Sequence, residues 1–141
     1  MVRPPSRGLP KTARLLRPSE FDRVFRHRSS AADGAIVVHG CPAAAAGPAR
    51  LGLSVSRRVG NAVERNRWKR RLREAFRAVR ERLPPDQDFV VVVRPAPAPA
   101  GRAGAARMEG LLVALAERIV GRPRHARPVD AAADAAPRRR R

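Results

Sequence analysis

The sequence predicts an α+β domain, and three stretches carry that expectation. Trp68, Leu72, Ala75, Phe76, Val79 and Leu83 recur on one face of a 3.6-residue period inside a strongly basic segment, the mark of an amphipathic helix. RLGLSVSRR, Arg50 to Arg58, alternates apolar with small residues at the two-residue period of a half-buried strand. DFVVVVR, Asp88 to Arg94, is the near-continuous apolar run of a strand buried on both faces and central in its sheet. A chain of 141 residues suits one such domain with some tail.

The other elements follow in order. Residues 1–17 form a basic, proline-rich arm whose sizeable anchors are Val2, Leu9, Leu15 and Leu16, and which is expected to pack partly on the domain. Phe21, Val24 and Phe25 stand at i, i+3 and i+4, with Pro18 near the first turn and Glu20 and Asp22 where the helix dipole favours acids; a short helix over Ser19 to Arg26 is predicted. GAIVVHG is a β-branched strand, separated by the loop CPAAAAGPA from the alternating one. In the latter, Leu51, Leu53 and Val55 point one way and Gly52, Ser54 and Ser56 the other, and the two strands read as an antiparallel pair. Asn61 with Glu64 reads as a capping box opening the basic helix, which sets Asn66, Arg70, Arg73 and Arg77 opposite its apolar face and ends at Pro84 and Pro85. PAPAPAGRAGA reads as a linker, after which Met108, Leu111, Leu112, Leu115 and Ile119 predict a last helix that ends near Val120 and covers the sheet. Residues 18–120 are therefore the domain. Residues 121–141, rich in Arg, Pro and Ala, hold too little large apolar surface to offset their ordering entropy and are expected to be disordered.

Charge narrows the partner. The formal net charge is +19, with a sequence pI near 12.0, so a polyanion is expected, nucleic acid first. RNRWKRRLREAFR, Arg65 to Arg77, puts seven cations and one acid into thirteen residues. Its like-charge i,i+4 pairs would cost an isolated helix about 1–2 kcal/mol, a penalty that a densely negative partner converts into affinity. Cys41 is the only cysteine, which excludes an intrachain disulfide and an all-cysteine metal site and fits a reducing compartment. The N-terminal stretch lacks the apolar core of a signal peptide, and no apolar run reaches the length of a membrane span, so a soluble cytoplasmic protein is expected, without a membrane partner.

No catalytic constellation is visible. His27, His39 and His125 lie far apart and read as surface or packing residues; His39 and Cys41 lack a third orienting group, and Cys41 reads as a loop thiol. Glu20 with Asp22 fits a helix start, and Asp86 with Asp88 a strand entry, not a two-metal nuclease site. No phosphate-cradling Gly-rich loop followed by Lys-Ser/Thr occurs. The side chains describe a binder, with no catalytic residue, no metal ligand and no small-molecule substrate of its own.

RLGLSVSRRVGNAVERNRWKRRLREAFR (Arg50 to Arg77) and LPKTARLLRPSEFDRVF (Leu9 to Phe25) together resemble the bacterial ribonuclease P protein component, most specifically through Arg65, Asn66 and Arg67 with Lys69, Arg70 and Arg73, supported by Gly60 to Val63. The resemblance covers roughly residues 9–120. It implies an α-β sandwich in the order helix, three strands, helix, strand, helix, with a left-handed βαβ crossover through the basic helix; the third strand would come from splitting Gly34 to Arg57. It also implies a ribonucleoprotein endoribonuclease in which a catalytic RNA with bound Mg2+ removes the 5′ leader of precursor tRNA while the protein holds substrate and RNA. Arg65, Asn66, Arg67, Lys69, Arg70 and Arg73 would then meet the catalytic RNA. Phe21, Phe25, Val38, Ser54, Ser56 and Arg57 would line a cleft for the single-stranded leader. Val38 stands where the family often has an aromatic residue.

Plainer readings compete. Phe21 and Phe25 have the spacing of a core face as well as of a stacking platform, Ser54 and Ser56 that of ordinary solvent-facing strand residues. A basic ribosomal or chromatin-like protein without catalytic role is the alternative to the ribonucleoprotein subunit, and a stand-alone protein nuclease is the remotest.

Overall fold

The structure, a computed structural model, describes residues 9–126. Its main elements are α1 (Pro18–Arg26), β1 (Ser30–Asp33), β2 (Ile36–Pro42), β3 (Arg50–Val55), α2 (Ala62–Val79), β4 (Gln87–Val93) and α3 (Gly101–Val120). The strands form one sheet in the order β1-β2-β4-β3. The apolar run of β4 is central, antiparallel to β2 and parallel to β3. The strands of GAIVVHG and RLGLSVS are thus not an antiparallel pair: β4 lies between them, because its valines can be covered on both faces whereas β3 alternates with small residues. The third strand is also placed differently from the expected split of Gly34 to Arg57. It is Ser30–Asp33, upstream of Gly34, and the hairpin turns at Gly34, where φ is +59°.

The pleat sorts the sheet into two faces. Ile36, Val38, Phe89, Val91, Val93, Leu51, Leu53 and Val55 face one way and pack with Trp68, Leu72, Phe76 and Val79 of α2 and with Met108, Leu112, Leu115 and Ile119 of α3 in the main core. The opposite face carries Val37, His39, Cys41, Val90, Val92, Gly52 and Ser54, and among the described residues it is covered by the nine-residue α1 together with Leu15. Cys41 is therefore a fully buried strand residue beside Val24 and Val90, not a loop thiol, and burial pushes its pKa up.

Leu51 also fixes the hand of the crossover. Its carbonyl accepts from Leu15 N–H at 2.9 Å on the outer edge of β3, so its main-chain groups point away from β4, while its side chain enters the core beneath α2. Viewed from the α2 side with β3 running upward, an L-residue whose side chain faces the viewer carries its N–H and C=O to the right. β4 consequently lies to the left, and β3-α2-β4 is left-handed, the uncommon hand that the family resemblance implied.

The segment before α1 closes the β3 edge: Leu9, Ala13 and Leu15 are buried, whereas Leu16, expected as an anchor, is 59% exposed. Residues 1–8, including Val2, lie outside the described residues. The last helix starts at Gly101 rather than near Met108, so GRAGA belongs to it and not to a linker. Its first turns hold Ala, Arg and Gly with no large apolar residue, so periodicity could not reveal them; a Cβ on Gly104 would lie 2.9 Å from that of Pro99, which explains the small residue. Gly121–Ala126, expected to be disordered, continues into a 3₁₀ turn, Pro123–Ala126, that docks through His125; the rest of the tail, 127–141, lies outside the described residues.

His125 is 2% exposed and uses both ring nitrogens, at 2.6 Å from Gln87 Oε1 and 2.9 Å from Ser29 Oγ. Gln87 Oε1 can only accept, so Nε2 carries the proton and Nδ1 accepts from the Ser29 hydroxyl. His27 Nε2 donates to the His125 carbonyl at 2.7 Å, and the two rings meet edge to face. Burial, with His27 and Arg122 nearby, pulls the His125 pKa down to about 4.

Two outcomes are expected. A Cβ on Gly52 would lie 2.8 Å from the Phe21 ring and 3.2 Å from Leu15 Cβ. Gly52→Val should therefore destabilise the fold by about 1–3 kcal/mol, by overpacking beneath α1, in urea unfolding; unchanged stability would show that α1 does not rest on β3. Because His125 is held neutral in the folded chain while its unfolded form protonates near 6.5, its contribution is complete above pH 6.5 and lost as the pH falls toward 4. Stability in wild type should decline through that window, and His125→Gln should flatten the decline; parallel pH profiles would refute the assignment.

Candidate nucleic-acid interface

Asn61 starts α2 by accepting from Glu64 N–H at 2.9 Å, while the Glu64 carboxylate turns to Arg67 at 3.2 Å. Trp68 Nε1 donates to the Ala96 carbonyl at 2.8 Å and, with Leu72, Ala75, Phe76 and Val79 buried, fixes which face looks outward. Asn66, Arg67, Arg70 and Arg77 are exposed; Arg65, Lys69 and Arg73 are half-buried along one flank. Arg73 shares the far side of the helix with Asn66, two turns before it, and is half-buried there because the segment that carries Arg14 comes close to it. Burial, and the nearby Arg14 charge, lower its pKa. The six residues expected to meet an RNA share about 12 Å of one helix.

Few of these charges are neutralised within the protein. Arg67 pairs with Glu64, and Arg71 with Glu74 at 3.7 Å. Both pairs are at the surface, where such contacts contribute little. Among the described residues no ion pair engages Arg65, Lys69, Arg70, Arg73 or Arg77.

The second surface lies on the face that α1 covers only in part. Arg50 of β3 forks onto Asp88 of β4, both bonds at 2.9 Å, and reaches Glu20 of α1 at 3.2 Å, while Arg23 of α1 lies 3.7 Å from Asp88 and donates to the Pro42 carbonyl at 2.6 Å. These contacts hold α1 over the row Arg50, Asp88 and Cys41. In the next row, Phe21 lies on Gly52 and Phe25 meets His39 edge to face with centroids 4.9 Å apart. The row beyond, Ser54, Val92 and Val37, is half-buried and forms an open strip alongside the two phenylalanines.

Phe21, Phe25 and Ser54 thus come together. Ser56 and Arg57 continue the strip off the end of β3, where Ser56 Oγ accepts from Arg58 N–H at 3.3 Å and both Ser56 and Arg57 are exposed. Val38 does not join them: it is 2% exposed and faces the main core, because its neighbours in β2, not Val38 itself, have the opposite parity. The β2 residues on the cleft side are Val37 and His39, which sequence reasoning missed. Their signal was the polar His39 in an otherwise apolar strand, which marks the wetter face. Burial lowers the His39 pKa. Among the described residues, no three His, Cys, Asp or Glu side chains gather in a group that could hold a metal ion. No helix of the described residues is long and apolar enough to cross a membrane.

The family model described as Ribonuclease P matches residues 9–119. The ribonuclease P protein component of Shouchella clausii is 46% identical over 84 residues, which are 60% of this chain and 69% of that one; that of Levilactobacillus brevis is 38% identical over 85 residues, 60% and 72%. Among solved structures, a Staphylococcus aureus RNase P protein mutant with defective mRNA degradation activity matches with a TM-score of 0.63 and 29% identity, over 78% of this chain and 89% of that one. The RNase P protein from Thermotoga maritima matches with a TM-score of 0.59 and 27% identity, over 74% and 96%. With the family model spanning most of its length and the same α+β architecture in the solved relatives, the chain belongs to the ribonuclease P protein family.

Proposed function

We propose that this chain is the protein subunit of a ribonucleoprotein that removes the 5′ leader from precursor tRNA, binding the catalytic RNA through α2 and the single-stranded leader through the strip beneath α1. The observation that carries the reading is the pairing of two unlike surfaces on one fold. One is a helix face whose cations, Arg67 apart, have no ion pair among the described residues, suited to the phosphates and sugars of folded RNA, whose deep major groove admits no side chains. The other is a shallow strip edged by aromatic rings and ended by Arg57, suited to one flexible strand irrespective of sequence. Arg65, Asn66, Arg67, Lys69, Arg70 and Arg73 serve the first. Phe21, Phe25, Ser54, Ser56 and Arg57 serve the second, with Val37 and His39 in the role first given to Val38.

The chemistry belongs to the RNA partner in this reading, and the Mg2+ with it. The protein's residues contribute by binding and orientation: they neutralise phosphates that would otherwise repel one another, and they hold the leader at a fixed distance from the RNA-bound face. The compartment in which both RNAs occur, the cytoplasm, follows from the same reading.

Cleavage of a leader-bearing precursor tRNA at low magnesium, with protein alone, catalytic RNA alone and both, tests it. Activity is expected only in the mixture. Activity of the protein alone would transfer the chemistry to the chain, and inactivity of every mixture would leave a basic ribosomal or chromatin-like protein. In the same system Phe25→Ala should weaken binding of leader-bearing precursor by about 1–3 kcal/mol, the worth of one stacked base, while mature tRNA binds as before. Equal losses for both RNAs would remove Phe25 from the leader site.

A further inference from the structure

Beyond the far end of α2 lies a groove that neither proposed surface includes. It is lined by Thr12, the loop Ala43–Pro48, Arg50 and Arg80, with a volume of about 540 Å³. Its wall is braced: Asp86 accepts from Gly47 N–H at 2.7 Å through its carboxylate, its own N–H donates to the Gly47 carbonyl at 2.7 Å, and its carbonyl accepts from Ala43 N–H at 2.9 Å. The loop that lines the groove, Ala43–Pro48, carries no charged side chain.

The two arginines of the groove differ. Arg50 is engaged by Asp88 and Glu20. Arg80 donates its Nε to the Ala49 carbonyl at 2.7 Å, which fixes the plane of its guanidinium, and has no ion pair among the described residues. Arg14 repeats the arrangement, with its Nε on the Leu9 carbonyl at 2.7 Å and no ion pair among the described residues. An Nε anchored on main chain leaves the outer nitrogens oriented as a fork for phosphate. Arg73 is near both. It is two turns before Arg80, about 10 Å along the same flank of α2, and close enough to Arg14 for like charges to oppose each other. Among the described residues no acid pairs with any of these three cations, which leaves them open to an outside anion.

We propose that the RNA-binding surface of α2 continues along Arg14, Arg73 and Arg80 into this groove, which takes one unpaired nucleotide of the RNA partner, its phosphate on the Arg80 fork and its base against the alanine loop. The proposal rests on the reading of α2 as the face that meets the catalytic RNA. Thr12, exposed at the rim, offers a hydroxyl to the same phosphate. The loop and the cation row then act together: the row follows the backbone, and the loop accepts a base that has left its stack.

The test uses full-length protein and the catalytic RNA, with binding measured across a salt series. Three variants are compared: Arg80→Gln, Ala45→Asp and Arg70→Gln. Ala45 is exposed in the loop, so Ala45→Asp places an acid in the groove without touching the core. Arg80→Gln should weaken binding several-fold and lower the slope of log K against log salt by about 0.7–0.9, one phosphate contact. Ala45→Asp should weaken binding comparably, with a thermal unfolding midpoint like that of wild type. If Arg70→Gln lowers the slope while Arg80→Gln and Ala45→Asp bind as wild type, the groove is not part of the interface and the proposal falls alone. If Arg70→Gln also binds as wild type with an unchanged slope, the reading of α2 falls and takes the groove with it.

Discussion

The buried carboxylate of Asp88 organises the face of the sheet on which the strip proposed for the leader lies. It is 2% exposed, in the central strand, and is held by the Arg50 fork from one neighbour and by Arg23 from the helix above. Removing one partner of such a group leaves a buried charge without compensation, at a cost of about 3–5 kcal/mol. The network is therefore a registration device more than a source of net stability. It ties α1 to the end of the sheet where Arg50, Asp88 and Cys41 stand in one row, two rows from Ser54, Val92 and Val37. The open strip is what remains of a sheet face when its cover is short and pinned at one end.

The same scarcity of acids sorts the arginines into two populations. Arg23, Arg50, Arg67 and Arg71 meet carboxylates. Arg14 and Arg80 meet main-chain carbonyls, and Arg70 and Arg77 project into solvent. A net charge of +19 is a standing self-repulsion in the folded chain, and the placement of the few acids shows which part of it is relieved internally. The relief is concentrated at the α1 interface and along one flank of α2. The opposite flank, with Arg65, Lys69 and Arg73, stays cationic up to the segment that carries Arg14.

Much of this was legible in sequence because the strongest patterns are set by burial. The helical stripe from Trp68 to Val79 and the valine run of β4 came through with the elements and faces they have in the structure. What failed, failed where local pattern does not encode partners. Nothing in RLGLSVS says that its neighbour is β4 rather than β2, since pairing is decided by which strand can be covered on both faces. Val38 was misplaced for a related reason: in IVVHG both parities are apolar, and only the side chains packed against each face distinguish them. The start of α3 was hidden because alanine and glycine have no face to show. His125 was invisible in a tail that reads as polar, because its burial depends on Ser29 and Gln87, far away in the chain.

The two proposed RNA surfaces are joined by a short piece of chain with little freedom. From Ser54 the strand passes through Ser56, which caps the 3₁₀ turn Arg57–Val59, and then to Asn61, which caps α2. Both ends of the connection are tied by side-chain hydrogen bonds, and the helix and strand it links share one core. A strand held along Ser54 and an RNA held along Arg65 to Arg73 would therefore be fixed in relative position by the fold itself. No flexible linker intervenes to dissipate that restraint. Such a restraint would contribute to a reaction by orientation, converting two separate encounters into one geometry. The strand order sets β3, and not β4, at the sheet edge, and the left-handed crossover puts α2 on the sheet face opposite α1.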